Sequence, residues 1–134
     1  MSDETRYPPS GFAKPELEFV DPDATAGFAW TPLEVDRTGQ LSEMILSGSH
    51  GSGWVSRLLR FEPGCDTTPN GTLTHDVWEE VFIVSGEIHD VRLGETFTAG
   101  MYACRPPGME HGPWTSGPGA ITFETRYPEP RSRA

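Results

Sequence analysis

Residues 74–86 read THDVWEEVFIVSG, an apolar run that carries His75 and Glu79 at its start and closes on Gly86. The Val-Phe-Ile-Val segment is β-branched and aromatic, which favours a strand. Side chains alternate along a strand, so His75 and Glu79, an even number of positions apart, can share its inner face while Glu80 points outward. Further along, residues 100–111 read GMYACRPPGMEH, a short strand and a proline-glycine turn followed by His111.

Outward from these stretches, short β-rich runs alternate with turn residues. Strands are expected at 33–36, 40–46, 53–61, 80–84, 87–91, 95–97, 101–104 and 120–127, with a further short one at 16–20. Glycine or proline breaks separate them, among them Gly48-Ser49-His50-Gly51, Pro69-Asn70-Gly71 and Ser85-Gly86. Many short strands at this spacing argue an all-β barrel or sandwich. Residues 1–30, with four prolines among acidic and aromatic residues, suit an extended N-terminal arm on a barrel spanning 31–127, and residues 128–134 read as a disordered tail. Nothing suggests a second domain.

The chain has 134 residues, of which 20 are acidic and 10 basic, giving a net charge of −10. Such a surface repels phosphate backbones and anionic lipid, so neither nucleic acid nor membrane is expected as a partner. Residues 1–10 lack the basic start and apolar stretch of a signal peptide, and no apolar run approaches the length of a membrane span; a soluble, cytoplasmic protein is expected. Cys65 and Cys104 lack C-x-x-C spacing and read as two reduced thiols.

Residues 74–86 and 100–111 resemble the paired motifs of the cupin superfamily. There the first motif closes with His-x-His, Glu and Gly, and the second runs from Gly through Pro-x-Gly to His and Asn. His75, Glu79 and Gly86 match the second histidine, the glutamate and the glycine; Gly100, Pro106, Gly108 and His111 match the second motif, with Thr115 in the asparagine slot. The flanking residues are similar to the subgroup related to the cupin domain of a zinc-binding anti-sigma factor. Two departures stand out. Leu73 occupies the slot of the first histidine, and the loop between Gly64 and that slot is longer than usual. The resemblance implies a double-stranded β-helix of the jelly-roll type and a metal held by His75, Glu79 and His111, since the fourth ligand is lost at Leu73.

Two imidazoles and a carboxylate form the donor set of the facial triad in non-haem iron oxygenases, and three protein ligands leave positions open for substrate. One divalent metal is expected, Fe(II) first, with Zn, Mn or Ni as alternatives. Beyond the ligands, Glu110 could orient His111 or act as a base, and Tyr102 could reach the cavity as a donor. Arg57 and Arg60 are an odd number of positions apart on one strand, so one of them faces inward, where it could clamp a substrate carboxylate. The residues leave open which; Arg60 is carried as the candidate. Trp54, Trp78 and Trp114 could line a pocket mouth or serve as packing, while His50 and His89 read as surface residues.

The leading functional expectation is a mononuclear non-haem Fe(II) dioxygenase acting on a small enolisable or phenolic substrate. A metal-dependent decarboxylase, isomerase or C–C lyase that needs no O2 is the second, and a ligand- or metal-sensing binding module the third. Barrels of this type commonly pair, so a homodimer is expected.

Overall fold

A computed structural model describes residues 14–129. Among them the chain is almost wholly β, as expected, and its one helical element is a 3-10 turn at Thr68–Asn70. The nine strands are β1 Thr31–Pro32, β2 Leu41–Ser49, β3 Trp54–Phe61, β4 Cys65–Asp66, β5 Trp78–Asp90, β6 Glu95–Thr98, β7 Tyr102–Arg105, β8 Trp114–Ser116 and β9 Ala120–Tyr127. They pair in the order β1-β2-β3-β9-β5-β8-β4, with β6 and β7 also on β5, and every pairing is antiparallel.

Strand β5 organises the curled sheet. Its first half pairs with β9 and β7, its second with β6 and β8. The break expected at Ser85-Gly86 is instead a bend, and the two strands expected at 80–84 and 87–91 are one. The pairing register with β9 slips between Ile83 and Ser85, and Gly86 follows at φ +81°. A Cβ at Gly86 would stand 2.0 Å from the Gly119 carbonyl oxygen, so glycine alone lets the strand turn and continue across its neighbour.

Other boundaries also differ from the expectation. Residues 33–36 form a turn, not a strand, because the Asp36 carboxylate accepts from the backbone N–H groups of Thr38, Gln40 and Leu41 and folds the segment back on itself. The short strand lies one step earlier, at β1. Strand β2 runs on to Ser49, while β4 and β8 appear where no strand was expected. The strand expected at 16–20 does not form: its side chains are all exposed and it has no pairing neighbour among the described residues. This segment is nonetheless tied to the sheet, since Lys14 Nζ donates to Ser56 Oγ at 2.8 Å and the Trp30 ring lies 4.2 Å from the Arg60 guanidinium. The expectations for residues 1–13 and 130–134 lie outside the described residues.

The interior divides along the strands. At one end Leu41, Leu59, Phe61, Cys65, Ile83, Ile88 and Ala120 form the apolar core, with Leu33, Phe97 and Trp114 packed against it. Each large apolar side chain buried there contributes about 1.5–3 kcal/mol. Cys65 is a free buried thiol and Cys104 a free exposed one. At the other end the same inward positions turn charged. Between the two ends the barrel keeps a cavity of about 490 Å³. No helix among the described residues is long and apolar enough to cross a membrane.

Candidate metal centre

The charged end follows from register. Alternation turns Glu79, Val81 and Ile83 of β5 inward, and the pairing sets Arg126 of β9 and Arg105 of β7 opposite Glu79 on its two sides. One strand further, Arg57 of β3 faces Glu124 of β9, and Glu43 of β2 lies beside them. A row of opposite charges therefore crosses five strands.

Most contacts in the row are short. Glu79 Oε1 accepts from Arg105 Nη1 at 2.7 Å, and Glu79 Oε2 from Arg126 Nε at 2.6 Å. Arg57 Nη2 lies 3.7 Å from Glu79 Oε2. Arg57 itself donates through Nη1 to Glu43 at 2.6 Å, and through Nε and Nη2 to Glu124 at 3.1 and 2.8 Å. With only 3% of Arg57 exposed, this is a buried ion network whose charges satisfy one another. Burial by itself would raise the Glu79 carboxyl, but the guanidiniums of Arg126, Arg105 and Arg57 overcome it and hold the group down at about 2.

The two histidines arrive from loops beside this row. His75 precedes β5, and His111 is fixed by a bridge in which Leu73 and His111 exchange backbone hydrogen bonds. Ligand atoms of His75, Glu79 and His111 lie within 4.8 Å of one another. His75 Nε2 is 3.0 Å from His111 Nε2 and 4.0 Å from Glu79 Oε2. Burial and the nearby Arg126 push His75 down to about 4, and burial with Arg105 lowers His111 as well, so both rings are neutral near pH 7.

Hydrogen bonding fixes their tautomers. A carbonyl only accepts, so the contact of 3.1 Å from His111 Nδ1 to the Met109 oxygen makes Nδ1 the protonated nitrogen and leaves Nε2 a lone pair. A guanidinium only donates, so Arg126 Nη2 at 3.1 Å makes His75 Nε2 an acceptor too. Two acceptor nitrogens thus lie 3.0 Å apart beside a carboxylate, the His75 one held by Arg126, an arrangement that a cation taking the place of that contact stabilises.

The remaining candidates fall elsewhere. Arg60 is on the outer face, against Trp30 and 3.4 Å from Glu62, because the inward arginine of β3 is Arg57. Tyr102 also faces outward; its hydroxyl, with that of Tyr127, donates to Glu80, which lies opposite Glu79 as alternation requires. Glu110 is exposed at the cavity rim, and His111 is oriented by the Met109 carbonyl instead. His50 is partly exposed, with Nε2 3.0 Å from Glu43, and His89 Nδ1 lies 2.9 Å from Thr96 Oγ1. Of the tryptophans, Trp114 lines the cavity, packing edge-on against Phe61 and 5.6 Å from the His111 ring. Trp54 and Trp78 stack on Tyr127 outside it.

Sequence reasoning missed Arg105, Arg126, Glu124 and Glu43. A signal existed in β9, where Thr122, Glu124 and Arg126 alternate with Ile121 and Phe123, but parity alone does not say which set faces inward.

A family model described as the ChrR cupin-like domain matches residues 22–128. Among solved structures, an RmlC-like cupin from Shewanella frigidimarina NCIMB 400 is 21% identical, over 87% of this chain and 94% of that one, with a TM-score of 0.62. An acetylacetone dioxygenase from Acinetobacter johnsonii is 17% identical, over 84% and 73% respectively, with a TM-score of 0.60. The complex of Rhodobacter sphaeroides SigE with the anti-sigma ChrR matches at 22% identity over 75% of this chain and 50% of that one, with a TM-score of 0.55. At these identities the likeness establishes the fold. Among curated proteins none matches.

Proposed function

The chain belongs to the ChrR cupin-like family, and from that premise we propose that it is a small metal-dependent enzyme in which His75, Glu79 and His111 hold one divalent ion at the wall of the cavity. The observation that carries this reading is the pair of acceptor Nε2 atoms 3.0 Å apart beside Glu79. The donor set fits: two neutral imidazoles and one ionised carboxylate suit Fe(II), and also Zn, Mn or Ni.

Such an ion supplies either the coupling of a chelated substrate to O2 or Lewis-acid polarisation of a substrate oxygen. The residues around it do the rest. Met109 fixes the His111 tautomer, and Arg105 and Arg126 hold the Glu79 carboxylate ionised and in one orientation. Trp114 and the apolar lining restrict water around the reacting atoms.

The first reading is an Fe(II) dioxygenase for a small enolisable or phenolic substrate. It is supported by the facial-triad donors and by the fold relative named for acetylacetone, itself an enolisable diketone. A second reading has a specific observation in its favour. Arginine contacts draw charge from the one carboxylate ligand, which makes the ion more electrophilic and suits enolate chemistry without O2.

The two separate in one experiment. The protein loaded anaerobically with Fe(II) is offered β-diketones, phenols and 2-oxo acids in an oxygen-electrode cell, and substrate loss is followed with and without O2. Oxygen consumption that depends on substrate supports the dioxygenase; turnover with Mn or Zn in the absence of O2 supports the Lewis-acid enzyme. Tight metal binding without turnover across the panel would contradict both and favour a sensing module.

A further inference from the structure

Three guanidiniums reach Glu79, and they differ in how many donors are spent. Arg57 uses all three of its nitrogens on Glu43 and Glu124 and is sealed from solvent. Arg126 uses Nε on Glu79 and Nη2 on His75. Arg105 uses only Nη1, on Glu79, and its guanidinium lies 5.6 Å from the centre of the Trp114 ring. Among the described residues its Nε and Nη2 have no partner, although its side chain is only 15% exposed and lines the cavity. Guanidinium N–H groups that lack a protein partner at the wall of a cavity are open to an acceptor that enters it.

Of the carboxylates lining the cavity, Glu43, Glu79 and Glu124 pair with Arg57, Arg105 and Arg126, and Glu34, Asp90 and Glu110 line it as well. Across the cavity the wall is apolar, formed by Leu33, Leu41, Phe61, Ile88 and Phe97. A volume of about 490 Å³ lies within the range of sites that enclose a small organic molecule.

We propose that Arg105 is the anion clamp of this cavity and that its substrate is an amphipathic carboxylate, the head group on the Nε and Nη2 edge of Arg105 and the apolar body against the Leu33–Phe97 wall. The proposal deepens the reading above by naming the substrate class of the same cavity; the unspent donors themselves do not depend on the metal. Arg57 is excluded from the role because its donors are used, and Arg60 because it is outside.

The test is calorimetric titration with octanoate and with octanamide, its neutral counterpart. Wild type, Arg105→Gln and Arg105→Lys are compared, each metal-stripped and Zn-loaded, with circular dichroism to verify the fold and a separate Zn titration. Wild type is expected to prefer octanoate by about tenfold or more. That preference should fall to near parity in Arg105→Gln and recover in part in Arg105→Lys. Equal binding of the two probes to wild type, or a preference that survives Arg105→Gln, would overturn the clamp. Zn binding without a carboxylate preference would leave the metal site standing and remove the clamp. Conversely, an Arg105-dependent preference in a protein that takes up no Zn would keep the clamp and remove the metal reading.

Discussion

Leu73 and His111 are directly paired: Leu73 N–H donates to the His111 carbonyl at 2.8 Å, and His111 N–H to the Leu73 carbonyl at 2.9 Å. Residues that exchange both hydrogen bonds in an antiparallel bridge carry their side chains on the same face, so residue 73 stands beside the imidazole. Leu73 also lines the cavity.

Leu73→His should therefore add a fourth ligand. We expect metal affinity to rise by about tenfold or more, measured by competition with a chromophoric chelator. An unchanged affinity would mean that position 73 does not reach the ion.

Glu79→Gln and Glu80→Gln distinguish the two faces of β5. The first removes the carboxylate shared by Arg105 and Arg126 and should weaken metal binding by about 100-fold. The second alters two tyrosine contacts on the outer face and should leave affinity unchanged, at a stability cost of about 1 kcal/mol or less. Equal effects on metal affinity would contradict the assigned register.

Arg57→Met leaves the buried carboxylates Glu43 and Glu124 without their guanidinium and should cost about 3–5 kcal/mol in urea unfolding. Arg60→Met, on the outer face, should cost about 1 kcal/mol or less. Similar losses for both would show that the two residues do not face opposite ways.

The contrast between these arginines marks how much the sequence discloses. Alternation says that Arg57 and Arg60 face opposite sides; which side is inside depends on strands far along the chain. His75, Glu79 and His111 were legible because their spacing to Gly86, Pro106 and Gly108 is local. Arg105 and Arg126 were not, because only the register of β7 and β9 against β5 brings them to Glu79. The fold follows the same division. Runs such as 53–61 and 120–127 show their strands through composition and punctuation. By contrast β4 and β8, two and three residues long, are too short for alternation to be read. Gly86 resembled a break because glycine at positive φ usually ends a strand; here the close approach of Gly119 makes it a bend within one.

The metal-free protein should lose stability as pH falls from neutrality. His75 has its folded value lowered from 6.5 to about 4, so its contribution is complete above 6.5 and is lost as pH drops toward 4. Glu79, lowered from 4.5 to about 2, contributes fully above 4.5 and loses that contribution as pH drops toward 2. Thermal melts should show Tm falling by about 5 °C or more between pH 7 and pH 4.5, with a smaller fall in His75→Gln. A flat Tm over that window would show that the imidazoles are not held neutral.

The most direct test of the metal centre is the metal content of wild type and His111→Ala, prepared side by side and reconstituted with Fe(II), Mn, Ni or Zn, by elemental mass spectrometry. The geometry of His75, Glu79 and His111 predicts close to one divalent ion per wild-type chain and its loss from a folded His111→Ala. No metal in either protein after reconstitution would contradict it and leave the cavity a metal-free binding site.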